Sequence, residues 1–153
     1  IAKPDLANAE TVDLVMSGGA MGRMGEMTYE GKPLTRERIL ETKQLWAFNG
    51  VANMPDKPLF RVERGQTVII KTVNQTGWLH AMHTHGHHFR IVSQSRKLVD
   101  DTGSWRDTFL IAPGEKASIA FVADNPGKWL LHCHMLEHAA AGMMTWFEVA
   151  TRS

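Results

Sequence analysis

The sequence predicts an all-β domain, an antiparallel β-sandwich or barrel, on three observations. Runs of β-branched and aromatic residues recur at short spacing, each closed by Gly, Pro, Asp or Asn. Only one segment has a helical pattern. The 153 residues, 43% of them hydrophobic, suffice for one buried core and no more.

Along the chain, residues 1–10, "IAKPDLANAE", are small, polar and interrupted by proline, and read as a linker-like start before a single domain over 11–153. "TVDLVM" (11–16) is strand-like. "SGGAMGRMGEMTYEG" (17–31) holds five glycines and three methionines with no strand or helix period, and reads as a loop. "LTRERILETK" (34–43) predicts a short helix with Thr35 as its N-cap. "QLWAFNG" (44–50) is a strand entering an Asn-Gly turn. Strands follow at 65–76, 87–94, 106–114, 116–124, 127–134 and 144–150. Seven to nine short strands in this pattern specify a sandwich or barrel.

Charge and apolar content narrow the function classes. Lysine and arginine number 17 against 16 acids, a balance that argues against nucleic acid or an anionic membrane as partner. No apolar run approaches the roughly 18 residues of a membrane span, so a soluble chain is expected. The one cysteine, Cys133, can form no disulfide within the chain. Flanked by two histidines, it reads as a ligand or a nucleophile. The chain starts at Ile1 without a leader pattern, which suggests a processed product or a piece of something longer.

All eight histidines fall in two windows, "HAMHTHGHH" (80–88) and "HCHMLEH" (132–138). Residues placed for packing have no reason to cluster in this way; only for His87 and His88 does packing compete evenly with ligation. In an extended strand, side chains alternate between faces. Cys133 then looks to one side while His132 and His134 look to the other; likewise His80 opposes His83 and His85. Two groups result. Cys133 and His80 form the first, completed by His138 at plus five and Met143 at plus ten. Two imidazoles, a thiolate and a weak thioether form the trigonal set preferred by blue copper. Zinc would accept the two histidines and the cysteine but gains nothing from methionine. Met144 competes with Met143, but the spacing favours Met143 and leaves Met144 to the core. The second group, His83, His85, His132 and His134, presents two His-X-His pairs on one surface, suggesting half of a shared cluster.

"HAMHTHGHHF" and "HCHMLEHAAAGM" resemble the two copper signatures of the last cupredoxin domain of multicopper oxidases, the family that includes laccases. "WAFNG", "PLFRVERG", "WRDTFLIAPG" and "DNPGKWLLHCH" resemble the same domain in order and spacing, over residues 44–150. The resemblance implies a Greek-key cupredoxin β-sandwich. It makes His80, Cys133, His138 and Met143 the type 1 copper ligands, His83 a type 2 ligand, and His85, His132 and His134 type 3 ligands. It further implies that a reducing substrate, such as a phenol, an aromatic amine or Cu(I), gives its electron at the type 1 site through the edge of His138. The electron would pass through Cys133 to His132 and His134, and on to a trinuclear copper cluster that reduces O2 to water.

The family's cluster takes half of its histidines from an amino-terminal domain, and no further histidine exists here. The expected partner is therefore that domain, in the same or a separate chain; a second copy in a homodimer is another source. Alone, the chain is expected to behave as a blue-copper electron-transfer module or a copper-sequestering domain. By resemblance, the location is periplasmic or secreted.

Met16, Met21, Met24 and Met27, in or beside the glycine-rich loop, are thioethers suited to Cu(I), although covering the sandwich is the favoured role. Ala139 stands where several bacterial relatives carry an acid, which leaves Glu137 or an acid of the missing domain to deliver protons. Asp107 is placed either to orient a ligating histidine or to pair with a base such as Arg106. Trp129 and Trp146 are assigned to the core; for Trp78 and Trp105, lining the mouth of the type 1 site and ordinary packing are equally compatible with the sequence.

Overall fold

The computed structural model describes residues 1–19, 27–95 and 104–151. After a single 3-10 turn at Leu6–Asn8, the strands and helices run in order: β1 (Ala9–Gly18), β2 (Thr28–Tyr29), β3 (Lys32–Pro33), α1 (Arg36–Thr42), β4 (Trp46–Phe48), β5 (Arg61–Glu63), β6 (Thr67–Asn74), β7 (His80–Thr84), β8 (Arg90–Gln94), β9 (Thr108–Ile111), β10 (Lys116–Val122), β11 (Gly127–Cys133), α2 (Leu136–Ala140) and β12 (Met144–Ala150). Ten strands build two five-stranded sheets, ordered β4-β1-β6-β10-β8 and β5-β12-β11-β7-β9; β2 and β3 form a small hairpin. Within these two large sheets only β11 and β12 are neighbours in strand order as well; every other pairing skips at least one strand, so the chain crosses repeatedly between the two sheets.

The expected antiparallel pairing holds for most of both sheets. Two pairs depart from it: β1 lies parallel to β6, and β12 parallel to β5. Both pairs join segments far apart in the chain, and a parallel pair needs just such a long crossover, since a tight turn cannot supply it. β1 also begins two residues before the expected strand, at Ala9 opposite Thr67, because the start of the chain is tied down where the Asp5 amide donates to Thr67 Oγ1 at 2.9 Å.

Local signals were followed closely elsewhere. Thr35 caps α1, its Oγ1 accepting from the Arg38 amide at 3.3 Å. Asn49 and Gly50 both take positive φ, 50° and 82°, as a two-residue hairpin turn demands, and Phe48 and Val51 exchange two hydrogen bonds across it. β12 alternates strictly, with Thr145, Phe147 and Val149 inward. Phe147 is fully buried and stacks on Phe60, ring centroids 4.9 Å apart, with Phe121 at 5.7 Å. Each such ring contributes roughly 1.5–3 kcal/mol of burial. The core between the sheets continues through Leu14, Met16, Ile70, Met82, Phe89, Ile111 and Leu131 to one end of the sandwich, where Cys133 and Met143 join it.

Candidate metal centre

β7 and β11 are paired so that Cys133 opposes Met82 and His132 opposes His83. Alternation then sends His80, Met82 and Cys133 into the core and His83 and His132 outward. Past β11 the chain turns through α2, which carries His138, and closes on Met143. The closing hydrogen bonds run from the Met143 amide to the His138 carbonyl and from the Cys133 amide to the Met143 carbonyl, both 3.1 Å. β4 clamps this loop from outside. The Leu45 and Trp46 amides both donate to the Ala141 carbonyl, at 2.8 and 2.9 Å, the Asn53 amide donates to Gly142 at 2.7 Å, and Gln44 Nε2 donates to Ala140 at 3.2 Å. Gly142 sits at φ 122° with the Trp46 carbonyl so near that an added Cβ would lie 2.0 Å from it, so only glycine fits.

His80, Cys133 and His138 bring their ligand atoms within 4.8 Å of one another. The two Nδ1 atoms are 3.1 Å apart, and Cys133 Sγ is 3.8 Å from His80 Nδ1 and 3.7 Å from His138 Nδ1. The circle through these three atoms has a radius of about 2.1 Å, so one ion at its centre would sit within the roughly 2.0–2.3 Å of metal–imidazole and metal–thiolate bonds. The donor set therefore fits a metal. Trp46 packs against both imidazoles, with centroids 4.9 Å from each. His80, Cys133 and Met143 are fully buried; His138 alone of the four reaches the surface.

Burial decides the protonation states. Loss of solvent, reinforced by His138, pushes the His80 pKa down to about 4, so the ring is neutral near neutral pH. Burial likewise lowers His138, against a smaller opposing pull from Glu137. It raises the Cys133 thiol, partly offset by backbone hydrogen bonds to Ala81 and Met135. These directions favour neutral imidazoles and a protonated thiol, so binding a metal must displace the thiol proton.

The other group gathers on the outer face. His83 lies with ring centroids 4.8 Å from His85, 5.5 Å from His132 and 5.3 Å from His134. His85 Nε2 and His132 Nε2 are 2.9 Å apart. His132 Nδ1 donates to the Cys133 carbonyl at 2.8 Å, which frees its Nε2 and ties this group directly to the buried cysteine. His83 Nδ1 faces the Asp107 carbonyl and Thr108 Oγ1, both at 3.0 Å, and the Thr108 hydroxyl donates to the Asp107 carboxylate at 2.8 Å. Asp107 and Thr108 thus orient His83. The Asp107 carboxylate itself lies 3.7 Å from His83 Nδ1.

Other expectations need correction. Met144 is not a core residue; it begins β12 on the outer face, opposite His132, where strand alternation puts it. Trp146 shares that face, its Nε1 donating to the Pro55 carbonyl at 2.8 Å, while Trp129 is half-buried against the core. Trp105 is not at the trigonal site but lies under the Arg90 guanidinium, 4.3 Å from its ring centre. Trp78 is 45% exposed in the turn before His80. Met16 belongs to the core in β1 and Met27 is buried beside Gly18; Met21 and Met24 lie outside the described residues. His87 packs among Phe121, Phe147 and Trp129, and His88 is exposed. Ala139 is buried and Glu137 exposed. Trp46, Gln44, Asn74 and Thr76 were missed as parts of the site. Among them only "WAFNG", quoted for its resemblance, carried a signal.

The sequence profile described as multicopper oxidase matches residues 29–153. The multicopper oxidase MmcO of Mycobacterium tuberculosis is 37% identical over 100 residues, covering 65% of this chain and 19% of that protein. The iron multicopper oxidase fer1 of Mycosarcoma maydis is 30% identical over 148 residues, covering 88% and 24%. The crystal structure of a multicopper oxidase from Pseudomonas thermotolerans superposes with a TM-score of 0.76 at 27% identity, covering 98% of this chain and 32% of that one. The chain thus spans a fifth to a quarter of the two relatives and has the cupredoxin sandwich of the solved structure. With its buried His-Cys-His triangle and matching profile, it belongs to the multicopper oxidase family.

Proposed function

We propose that this chain is the copper-holding carboxy-terminal domain of a laccase-like oxidase, in which His80, Cys133, His138 and Met143 hold type 1 copper. His83 in this reading contributes to type 2 copper, and His85, His132 and His134 to the type 3 pair of a cluster completed by an amino-terminal domain. When bound, copper supplies a one-electron couple at the first site and, at the completed cluster, the four-electron, four-proton reduction of O2 to two waters. The observation that carries the reading is the two-sided arrangement on β11: Cys133 faces the buried triangle, while its carbonyl holds His132 in the outer histidine group.

The chain's own residues divide the work. His138 offers a partly exposed ring edge where a small reducing substrate, a phenol, an aromatic amine or Cu(I), delivers its electron. Trp46 and the clamped 138–143 loop exclude water from the other ligands and hold their spacing, which keeps the rearrangement on electron transfer small. The covalent step from Cys133 to His132, with its 2.8 Å hydrogen bond, gives the shortest path between the two groups. Asp107 and Thr108 fix the His83 ring for its role at the surface. Export to the periplasm or beyond fits the family resemblance; among the described residues no helix is long and apolar enough to cross a membrane.

The test is copper stoichiometry read with the visible spectrum. One copper per chain with an intense blue thiolate band is expected for this chain alone, and oxygen consumption is expected only once a partner supplies further histidines. A loaded chain without the blue band would overturn the trigonal site. A lone monomer that reduces oxygen would overturn the shared cluster.

A further inference from the structure

Asn74, at the end of β6, is completely buried, yet its side chain lacks nothing. Nδ2 donates to the Trp78 carbonyl at 2.7 Å and to the Ile111 carbonyl at 3.2 Å, while Oδ1 accepts from the Thr76 amide at 3.0 Å and the Thr76 hydroxyl at 2.6 Å. The Thr76 amide needs an acceptor and two carbonyls need donors, so the amide group has only one orientation.

The Thr76 hydroxyl has one proton, and its acceptor-only neighbours, Asn74 Oδ1 at 2.6 Å and the Trp78 carbonyl at 3.2 Å, claim it. Its lone pairs then face the Trp78 amide at 3.3 Å and His80 Nε2 at 2.7 Å. With no proton left for His80, Thr76 must accept from Nε2–H. His80 is therefore held with Nε2 protonated and Nδ1 bare, and Nδ1 is the atom that faces Cys133 and His138.

We propose that Asn74 and Thr76 are positioning residues which fix His80 in the one tautomer that can ligate a metal in the trigonal site. This rests on the copper reading above. The arrangement crosses the sandwich: Asn74 belongs to one sheet, His80 and Ile111 to the other, and Ile111 is the strand partner of His80. The metal-facing ring is thereby anchored to both layers. A ligating histidine whose free N–H has an acceptor is a stronger donor, and losing such a partner weakens metal affinity roughly ten- to a hundredfold.

The experiment compares Thr76→Val and Thr76→Ser with wild type in the whole copper-loaded protein, by chelator competition at the blue site and by redox titration of its band. The valine variant is expected to lose roughly ten- to a hundredfold in copper affinity and to shift the potential upward, because a less basic imidazole favours Cu(II) less. Serine, which keeps the hydroxyl, is expected to restore both. A valine variant with unchanged affinity and potential overturns the proposal, as does a serine variant as impaired as valine. Should the valine variant not fold, nitrogen chemical shifts of His80 in the wild-type protein before copper is added decide: Nε2 protonated and Nδ1 bare is expected, and the opposite tautomer overturns it. If wild type shows no blue band, the copper reading has failed; if it does and Thr76→Val matches it, the relay alone has failed.

Discussion

At the scale of single residues, burial settles what the ligands can do before any metal arrives. His80 has a folded pKa of about 4 against about 6.5 when exposed, so the unfolded chain binds the proton first as pH falls. Its contribution to stability is intact above about pH 6.5 and is lost progressively down to about pH 4. Across that window the metal-free chain should lose on the order of 3 kcal/mol from this residue, read by urea unfolding at each pH. A flat profile would mean that His80 is solvated. Cys133 invites a sharper substitution. Cys133→Ser should remove the blue band completely while costing the metal-free fold about 1–3 kcal/mol for a buried hydroxyl. Because the chain has one cysteine, retention of the band would mean that it does not arise from a thiolate of this chain, and the trigonal-site reading would fall.

At the scale of elements, the loop from Cys133 to Met143 is held less by its own short helix than by the start of β4 and the residues on either side of that strand, 44–53. Four backbone carbonyls of the loop, those of Ala140, Ala141, Gly142 and Met143, accept donors from Gln44, Leu45, Trp46, Asn53 and Cys133. Ligand spacing therefore depends on a strand about ninety residues earlier in the chain. Gly142→Ala tests this directly: the new methyl meets the Trp46 carbonyl, and the positive φ suits no L side chain. The expected cost is about 2–4 kcal/mol in unfolding free energy, together with a weakened or shifted blue band. A variant with full stability and an unchanged spectrum would show that the clamp is dispensable.

At the scale of the whole molecule, the sandwich separates two tasks onto the two sides of one strand. The inward side of β11 feeds a buried trigonal site and the outward side feeds an open histidine surface. That surface also carries Met144 and Trp146 and is continuous with Leu110, 43% exposed on β9 beside Ala81. Adding the complementary amino-terminal domain should raise the copper count above one per chain and switch on oxygen consumption, measured with an oxygen electrode. His132→Ala should abolish that activity and leave the blue band in place. Loss of the band as well would mean that the two groups are not separable.

The division of the histidines and Cys133 into an inward and an outward group was legible in the sequence because strand periodicity is local: whether His80 shares a face with His83 depends only on their spacing, and β7 stays extended. The helix cap at Thr35 and the turn at Asn49–Gly50 were legible for the same reason. The outward places of Met144 and Trp146 follow from the same alternation along β12. Only the tertiary structure could reveal the parallel pairs β1/β6 and β5/β12, because each depends on which distant segment lies alongside. The same is true of Trp46 against both imidazoles, Gln44 on the ligand loop and the Asn74–Thr76 support of His80. In sequence these are ordinary strand and turn residues; they become part of the site because the two sheets pack face to face and a buried polar group must find its partner across the layer.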